Sequence, residues 1–417
     1  MTVVYLIVAV AAVAWLAQAV CVGFFLKMLS MWRKRSPHRG ALPKATVLLS
    51  LRGADPGLAD NLRALLRQNY PDYDIRAVVD GREDAAWAVL EMLQDEPGGE
   101  RLQFEELAFA QPFCSLKNSA LIQLCHNLDE SIEVVAFMDG DVRPHADWLR
   151  NLAIPLQNEE IGLTTGLRWY RSQDSEFGSL MRYLWAAGAL VQCWMNGIVW
   201  AGSMAMRRSF MEEVDIPGMW SRSLSTDGPL FAVVKRAGRR GQFVPEALML
   251  NVEQIGARDS LWWMSRQMLI ARLYHSGFKN VIVHAASMAA LAVAFLATLG
   301  YAVVAGDTTA AAWLYSAGAV YLVGCAMLTA ILDVAAQRVV LAQGTRIERL
   351  RLDFWLWVPL GVAAMHFVMP VATTIASFTN RVRWREAEYL IESPWQIRLM
   401  AYQPYRQLET AGTHSIV

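Results

Sequence analysis

The chain reads as an α/β protein: a domain on a mainly parallel sheet, with transmembrane helices at both ends. Three observations lead there. Short apolar runs of strand length alternate with helically spaced stretches, apolar blocks of membrane length flank that region, and an Asp-Gly-Asp at Asp139 to Asp141 closes the strand-like run Val134-Val135-Ala136-Phe137-Met138. Strands alternating with helices at short intervals make parallel sheets. About 20 apolar residues suffice to cross the hydrocarbon core as a helix.

At 417 residues the chain suits one catalytic domain plus a membrane part. Lys and Arg balance Asp and Glu at 38 each, so no global basic field argues for nucleic acid. The five cysteines form no Cys-x-x-Cys pair and match no histidine spacing, so neither a zinc site nor a disulfide framework is indicated. Cys21 reads as a membrane-facing thiol, and the seven histidines are scattered without ligand spacing.

In chain order, residues 1–26 form an anchor: Thr2 to Leu26 carries no formal charge, and the bases Lys27, Arg33, Lys34, Arg35 and Arg39 follow it rather than precede it. A cleaved signal peptide has the opposite order, and the basic side is expected in the cytosol. Residues 27–280 form the cytosolic domain. Within 281–332, Val281 to Ala305 and Ala310 to Leu332 read as a helical hairpin broken at Gly306-Asp307-Thr308. Residues 333–378 read as a basic loop, with Arg346, Arg349 and Arg351, and then an apolar stretch from Phe354 to Phe378 interrupted by Pro359 and Pro370. A full crossing there would leave Arg381, Arg383, Arg385, Arg398 and Arg406 outside, against the positive-inside tendency. The expectation is a broken, re-entrant or interfacial element, followed by a basic cytosolic tail at 379–417. The whole is expected as an integral membrane protein, of the inner membrane if bacterial.

Inside the domain, Ala45 to Leu51, Asp74 to Val79 and Glu133 to Met138 read as strands; Leu58 to Gln68, Trp87 to Leu93 and Ser119 to Leu128 read as helices. Ligands of such sheets bind at the carboxyl ends of strands. Asp80 and Asp139 follow two of them. Asp80 reads equally as a turn former, since Asp-Gly is a turn dipeptide. Asp139 and Asp141, one residue apart, repel each other unless a cation lies between them, and a hard divalent ion such as Mg²⁺ or Mn²⁺ bridges carboxylates to a substrate diphosphate.

The chain has no Walker loop, no Gly-x-Gly-x-x-Gly after a strand, no Gly-x-Ser-x-Gly and no His-Glu-x-x-His. Transfer chemistry on a diphosphate-linked donor remains, and it needs a base for the attacking hydroxyl. Asp227, in Ser225-Thr226-Asp227-Gly228-Pro229, is the candidate; the plainer reading is a helix N-cap. The basic cluster Lys235 to Arg240 reads as a solvated helix end.

Taken together, Ser50-Leu51-Arg52-Gly53-Ala54-Asp55-Pro56, Gln68-Asn69-Tyr70-Pro71, Asp80, Asp84, Lys117-Asn118, Phe137 to Val142, Gly202 to Arg208, Thr226-Asp227 and Val382-Arg383-Trp384-Arg385 resemble membrane-bound family 2 glycosyltransferases. The likeness is to ceramide glucosyltransferases and hopanoid-associated glycosyltransferases, over almost the whole chain. It implies a GT-A-like fold and an inverting transfer from a UDP-sugar. By that resemblance Asp80 lies near the uracil and ribose, Lys117 near the donor, Asp139 and Asp141 hold Mg²⁺ or Mn²⁺, and Asp227 is the general base. Two departures stand out. Thr226 replaces an acidic residue, and the family's Gln/Arg-x-x-Arg-Trp, placed at Arg266 to Ile270, has Leu269-Ile270 for Arg-Trp. Leucine offers neither charge nor a forked donor, so Arg266, Gln267 and Arg272 are the replacement donor-binding candidates.

Trp185, Trp194 and Trp200 lie in the apolar stretch Tyr183 to Ala201, and Trp262-Trp263 precedes Arg266. Such a stretch is either a buried core helix or an interfacial helix that guides an acceptor from the headgroup layer. The reading is a hexosyltransferase moving sugar to a hydroxyl of a membrane lipid, ceramide-like, hopanoid or glycerolipid. A polysaccharide synthase and a catalytically silent membrane scaffold of the same fold are the alternatives. Oligomeric state is not encoded legibly.

Overall fold

The computed structural model describes residues 1–33, 40–55, 57–126, 128–172 and 176–405. Lys34, Arg35 and Arg39 of the basic flank, Pro56 of the opening motif and Arg406 with the rest of the tail lie outside the described residues.

In chain order the strands are β1 (Ala45–Leu51), β2 (Tyr73–Val79), β3 (Leu102–Glu106), β4 (Val134–Met138), β5 (Ile161–Thr165), β6 (Arg168–Tyr170), β7 (Ser203–Arg207), β8 (Arg240–Phe243) and β9 (Met249–Asn251). Seven of them form one sheet in the order β3-β2-β1-β4-β7-β5-β8, while β6 and β9 pair in a second, two-stranded sheet. β1 pairs in parallel with β2 and β4, and β2 with β3; β7 runs antiparallel between β4 and β5, and β8 is parallel to β5. The mainly parallel sheet expected from the sequence is therefore present, with one reversed strand. The chain leaves β1 in one direction to β2 and β3, then returns to β4 on its other side, which opens a crevice at the carboxyl ends of β1 and β4.

Period-2 alternation explains why these strands are central. Val47 and Leu49 of β1, with Ala136 and Met138 of β4, face a core shared with Leu58, Leu62 and Leu65 of the Leu58–Leu66 helix and with Trp148. Leu48, Val135 and Phe137 point to the opposite core, against Leu121 and Leu124 of the Leu116–His126 helix and Trp220. A strand covered on both faces needs an unbroken apolar run, which β4 has.

Four helices are long and apolar enough to cross a membrane: Thr2–Arg33, Phe278–Val304, Thr308–Ala342 and Leu352–Phe378. The third continues to Ala342, about three turns past the expected end at Leu332, because Asp333, Ala336, Val339 and Val340 are buried against the sheet domain. Of the broken, re-entrant or interfacial alternatives expected for the fourth, the break is corrected. Pro359 and Pro370 lie inside one continuous helix, whose packing outweighs the two lost backbone hydrogen bonds. It lies along the Phe177–Asn196 and Ala257–Tyr274 helices. Phe354 near its start meets Tyr183 edge-on at 5.2 Å, and Arg272 donates to Ser377 O at 2.8 Å and Thr379 O at 2.7 Å at its end. Both ends therefore rest on the sheet domain.

The segment expected as a basic tail is instead an antiparallel meander of β10 (Arg381–Trp384), β11 (Ala387–Ser393) and β12 (Gln396–Ala401). Ala387, Tyr389 and Ile397 pack with Leu116, Leu224 and Leu269, so the meander covers the sheet domain.

Candidate active site

A cavity of about 170 Å³ lies at the carboxyl ends of β1 and β4, walled by Arg52, Lys117, Asp139, Asp141, Arg168 and Arg266 among others. Two close approaches shape its floor. Asn61 Nδ2 donates to Gly140 O at 2.9 Å, and a Cβ on Gly140 would come within 2.9 Å of Leu51 Cδ2. A side chain there would have to displace the Leu51 and Leu58 methyl groups, so Asp139 and Asp141 are held on either side of a closely packed residue. Gly202 backs the same loop, since a Cβ there would meet Trp200 at 2.0 Å and Asp139 Oδ2 at 2.5 Å.

The two carboxylates converge on one cation. Arg168 Nη2 donates to Asp139 Oδ2 at 2.8 Å, and Nη1 to Asp141 Oδ2 at 2.8 Å. Lys117 Nζ bonds Asp139 Oδ1 from the other side. Burial pushes both carboxyls up, but at Asp139 the Lys117 and Arg168 charges outweigh it and the group lies below its ordinary range. Asp141, with Arg168 and against the Asp139 charge, lies above. Burial also disfavours the Arg168 cation, yet Asp141, Tyr170 and Asp139 raise it overall. The guanidinium is stacked 4.6 Å from the Trp200 ring and 5.5 Å from that of Tyr170.

The donor set fits a hard divalent ion: two carboxylates are aimed at one position, which the Arg168 guanidinium holds. Among the described residues no group of three or more His, Cys, Asp or Glu makes a closed protein cage, so the remaining ligands would come from substrate and water.

The Leu269 departure is resolved by helix register. On the Ala257–Tyr274 helix, Trp263 and Arg266, three residues apart, line the cavity. Leu269 is 1% exposed in the cluster beneath the meander. An arginine at 269 would face apolar packing; the guanidinium reaches the site from 266. Arg266 sits 5.2 Å over the Trp384 ring, and burial lowers it to about 10. Gln267 is half-buried next to it and does not line the cavity. Arg272 caps the Leu352–Phe378 helix instead, away from the carboxylates.

Asp80 is engaged by the chain itself. It pairs with Arg52, accepts from Tyr402 Oη at 2.7 Å and from the Tyr405 backbone N–H at 2.6 Å. The rings of Tyr402 and Tyr405 flank the Arg52 guanidinium at 5.3 and 5.9 Å. Arg385, in the β10–β11 turn, has φ 45° and Glu386 has φ 65°. Two non-glycine residues in that region store strain; here it aims Arg385 Nη2 at Asp55 Oδ2, 2.7 Å away.

Asp227 accepts the Ala201 N–H at 2.9 Å and the Ser225 hydroxyl at 2.6 Å. It does not line the cavity; the Ala201-Gly202 backbone stands between it and Asp139. Thr226, in the place of an acid, donates to Asn118 Oδ1 at 2.7 Å, while Asn118 Nδ2 donates to Ser223 O at 2.9 Å. A carboxylate at 226 would set two acceptors against each other, so Thr226 and Asn118 form a matched pair.

Several cavity residues had no sequence signal of their own: Arg168, Arg182 and Glu253, and the roles of Arg52 and Arg385. Glu253 lines the cavity, 3.6 Å from Arg182, and burial and then Asp141 raise its carboxyl. Alternation on β6 could have pointed to Arg168, but a three-residue strand gives no periodicity to read.

A family model described as Glycosyl transferase family 21 matches residues 7–397. The chain belongs to glycosyl transferase family 21. The ceramide glucosyltransferase-like resemblance read from the motifs is thus borne out, and the family 21 match runs from the first membrane helix into β12. Among solved structures, the chain is similar to a mannosyltransferase from Pyrobaculum calidifontis in complex with GDP-Man and Mn²⁺, at 16% identity and TM-score 0.48, covering 89% of this chain and 99% of that one. It is also similar to GalNAc-T7 with UDP, GalNAc and Mn²⁺, at 10% identity and TM-score 0.38, covering 58% of this chain and 50% of that one. A third is glucosyl-3-phosphoglycerate synthase from Mycobacterium tuberculosis in complex with phosphoglyceric acid, at 15% identity and TM-score 0.35, covering 55% and 77%. A search of curated proteins returns no match.

Proposed function

We propose that this family 21 glycosyltransferase moves a sugar from a UDP-sugar to a hydroxyl of a membrane lipid, with inversion at the anomeric carbon. One observation carries the reading: the paired carboxylates Asp139 and Asp141 share a cavity with Arg266, a guanidinium that has no hydrogen bond to a carboxylate among the described residues, beside apolar helices. A desolvated cation of that kind binds an anion strongly. The divalent ion, when bound at Asp139 and Asp141, supplies positive charge for the departing diphosphate.

The chain's own groups do the rest. Arg266 and Lys117 orient the diphosphate, Asp80 faces the nucleoside end, and Asp227 takes the proton from the acceptor hydroxyl as its oxygen bonds to the anomeric carbon and the carbon–diphosphate bond breaks. The acceptor route is supported by an aromatic run: Tyr170 and Trp263 in the cavity wall, rings 5.2 Å apart, then Trp185 on the apolar Phe177–Asn196 helix, 4.8 Å from Trp263. Since the Leu352–Phe378 helix starts and ends against the sheet domain, the meander stays on the same side as the site, which the basic flanks favour as cytosolic.

A second reading of the base rests on Glu253, which lines the cavity where Asp227 does not. Purified enzyme, Mn²⁺ or Mg²⁺, a panel of UDP-sugars and total membrane lipid test both. Sugar should enter the lipid fraction with wild type and fall by at least about a hundredfold with Asp227→Asn. Full activity in Asp227→Asn with loss in Glu253→Gln would transfer the role, and no lipid labelling from any donor would sink the proposal.

A further inference from the structure

We infer that Arg168 is a resident counter-ion that keeps the Asp139–Asp141 site closed to a free divalent metal, so that metal enters only together with a diphosphate. The inference rests on the donor reading above. Its first support is geometry. Arg168 reaches both carboxylates at once, at 2.8 Å each with a further contact of 3.2 Å to Asp141 Oδ1. That is the position a bridging ion would take, and a guanidinium and a metal ion cannot share it.

Charge balance gives the second support. Lys117 and Arg168 already neutralise the two carboxylates. Adding a divalent ion alone would leave excess positive charge in a site whose Arg168 and Asp141 side chains are only 14% exposed, where unpaired charge is strongly penalised. A metal that arrives with a diphosphate brings its own negative charge, and the penalty disappears. The cavity agrees: its 170 Å³ is below the roughly 300–1,000 Å³ of small-molecule sites, so something must withdraw before a nucleotide sugar fits.

Third, Arg168 is built to let go. Its Nε is buried with no hydrogen-bond partner among the described residues, leaving a donor for a phosphate oxygen, and the Trp200 and Tyr170 rings beside it stabilise the cation when the carboxylates are released. Its neighbours do not move with it. Trp169 Nε1 donates to Asp333 at 3.1 Å and Arg171 lies 3.4 Å from the same carboxylate, which fixes the backbone of β6.

The test is Mn²⁺ binding by full-length purified protein, read from the loss of the free-ion electron paramagnetic resonance signal, with and without UDP. Wild type should take up Mn²⁺ weakly alone and at least about tenfold more tightly with UDP, a change of about 1.4 kcal/mol. Arg168→Met should bind Mn²⁺ alone at least about tenfold more tightly than wild type, while Arg168→Lys, which keeps the charge, stays near wild type; thermal melting checks that each variant is folded. Equal Mn²⁺ affinity of wild type and Arg168→Met without nucleotide would overturn the inference. Failure of UDP to bind any of the proteins would instead sink the UDP reading, and the metal-alone comparison would still decide the role of Arg168.

Discussion

The indole N–H of Trp169 donates to the Asp333 carboxylate at 3.1 Å, joining the edge of the candidate site to a helix long and apolar enough to cross a membrane. The link follows from strand alternation. On β6, Arg168 and Tyr170 face the cavity, so Trp169 and the next odd residue, Arg171, face the other way, toward the Thr308–Ala342 helix. Three residues thereby bind the acidic pair on one side and the membrane part on the other. The acidic pair and the Thr308–Ala342 helix are separated by the thickness of one strand.

Asp333 is fully buried and Arg171 nearly so, at 3% exposure. Removing one partner of such a pair leaves an uncompensated charge, a loss of about 3–5 kcal/mol. Asp333→Ala should therefore lower thermal stability sharply, and Asp333→Asn less, because its amide oxygen still accepts from Trp169. Combining Asp333→Leu with Arg171→Met should recover much of the loss. Equal melting temperatures for Asp333→Ala and wild type in detergent would show that the pair does not hold the helix.

Register on the Ala257–Tyr274 helix makes a paired prediction. Arg266→Met should weaken donor binding by about ten- to a hundredfold, as loss of a charge-assisted contact to an anion does, with the fold intact. Leu269→Arg, which restores the family's arginine by sequence, should add no activity. It should destabilise by at least about 2 kcal/mol by burying an unpartnered cation. Nucleotide titration and melting curves of both variants decide it; a gain of activity in Leu269→Arg would show that the cavity reaches one turn further along the helix.

The two central strands, the helical hairpin and the Asp139–Asp141 loop were legible because each is local: an unbroken apolar run, a pair of apolar spans, a tripeptide at a strand end. What escaped depends on long-range contact. Arg52 and Arg385 meet through Asp55 and the Arg52 carbonyl although 333 residues separate them, and no local pattern encodes that. The Leu352–Phe378 segment is one continuous helix, although two prolines argue locally for a break, because packing on two neighbouring helices decides the matter. The Leu269 departure is explained only by a long-range contact: the residue is buried under the meander, while Arg266, three residues earlier, lines the cavity.

The meander should govern the nucleoside end of the site. Tyr402 reaches Asp80 at 2.7 Å and Arg385 reaches Asp55 at 2.7 Å, so both positions set the shape of the wall beside β1 and β2 without touching Asp227. Arg385→Met is expected to raise the donor KM by about tenfold with kcat changed much less, and Tyr402→Phe to act in the same direction more weakly. A fall in kcat at constant KM would place the meander in the chemical step instead.

His145 gives the pH dependence. It follows the acidic loop and bridges it to the Pro245–Ala247 turn: Nε2 meets Glu246 O at 2.6 Å, and Nδ1 accepts the Asp147 N–H at 3.2 Å. The neutral ring with Nε2 protonated satisfies both contacts, whereas the imidazolium loses the acceptor. Burial lowers the folded-state value, against smaller opposing effects of Glu246 O and Asp147. The unfolded chain therefore binds the proton more readily, and the stabilisation, present in full above the ordinary value of about 6.5, is lost as pH falls toward the folded-state value. His145→Gln keeps a donor and an acceptor and carries no charge. Melting temperature of the wild type should drop more steeply than that of His145→Gln between about pH 7.5 and about pH 5.5, while carboxylates with raised values, such as Glu253, affect both proteins alike. Parallel curves would mean that His145 is protonated equally in the folded and unfolded states, and that the acidic loop is held in place by other contacts.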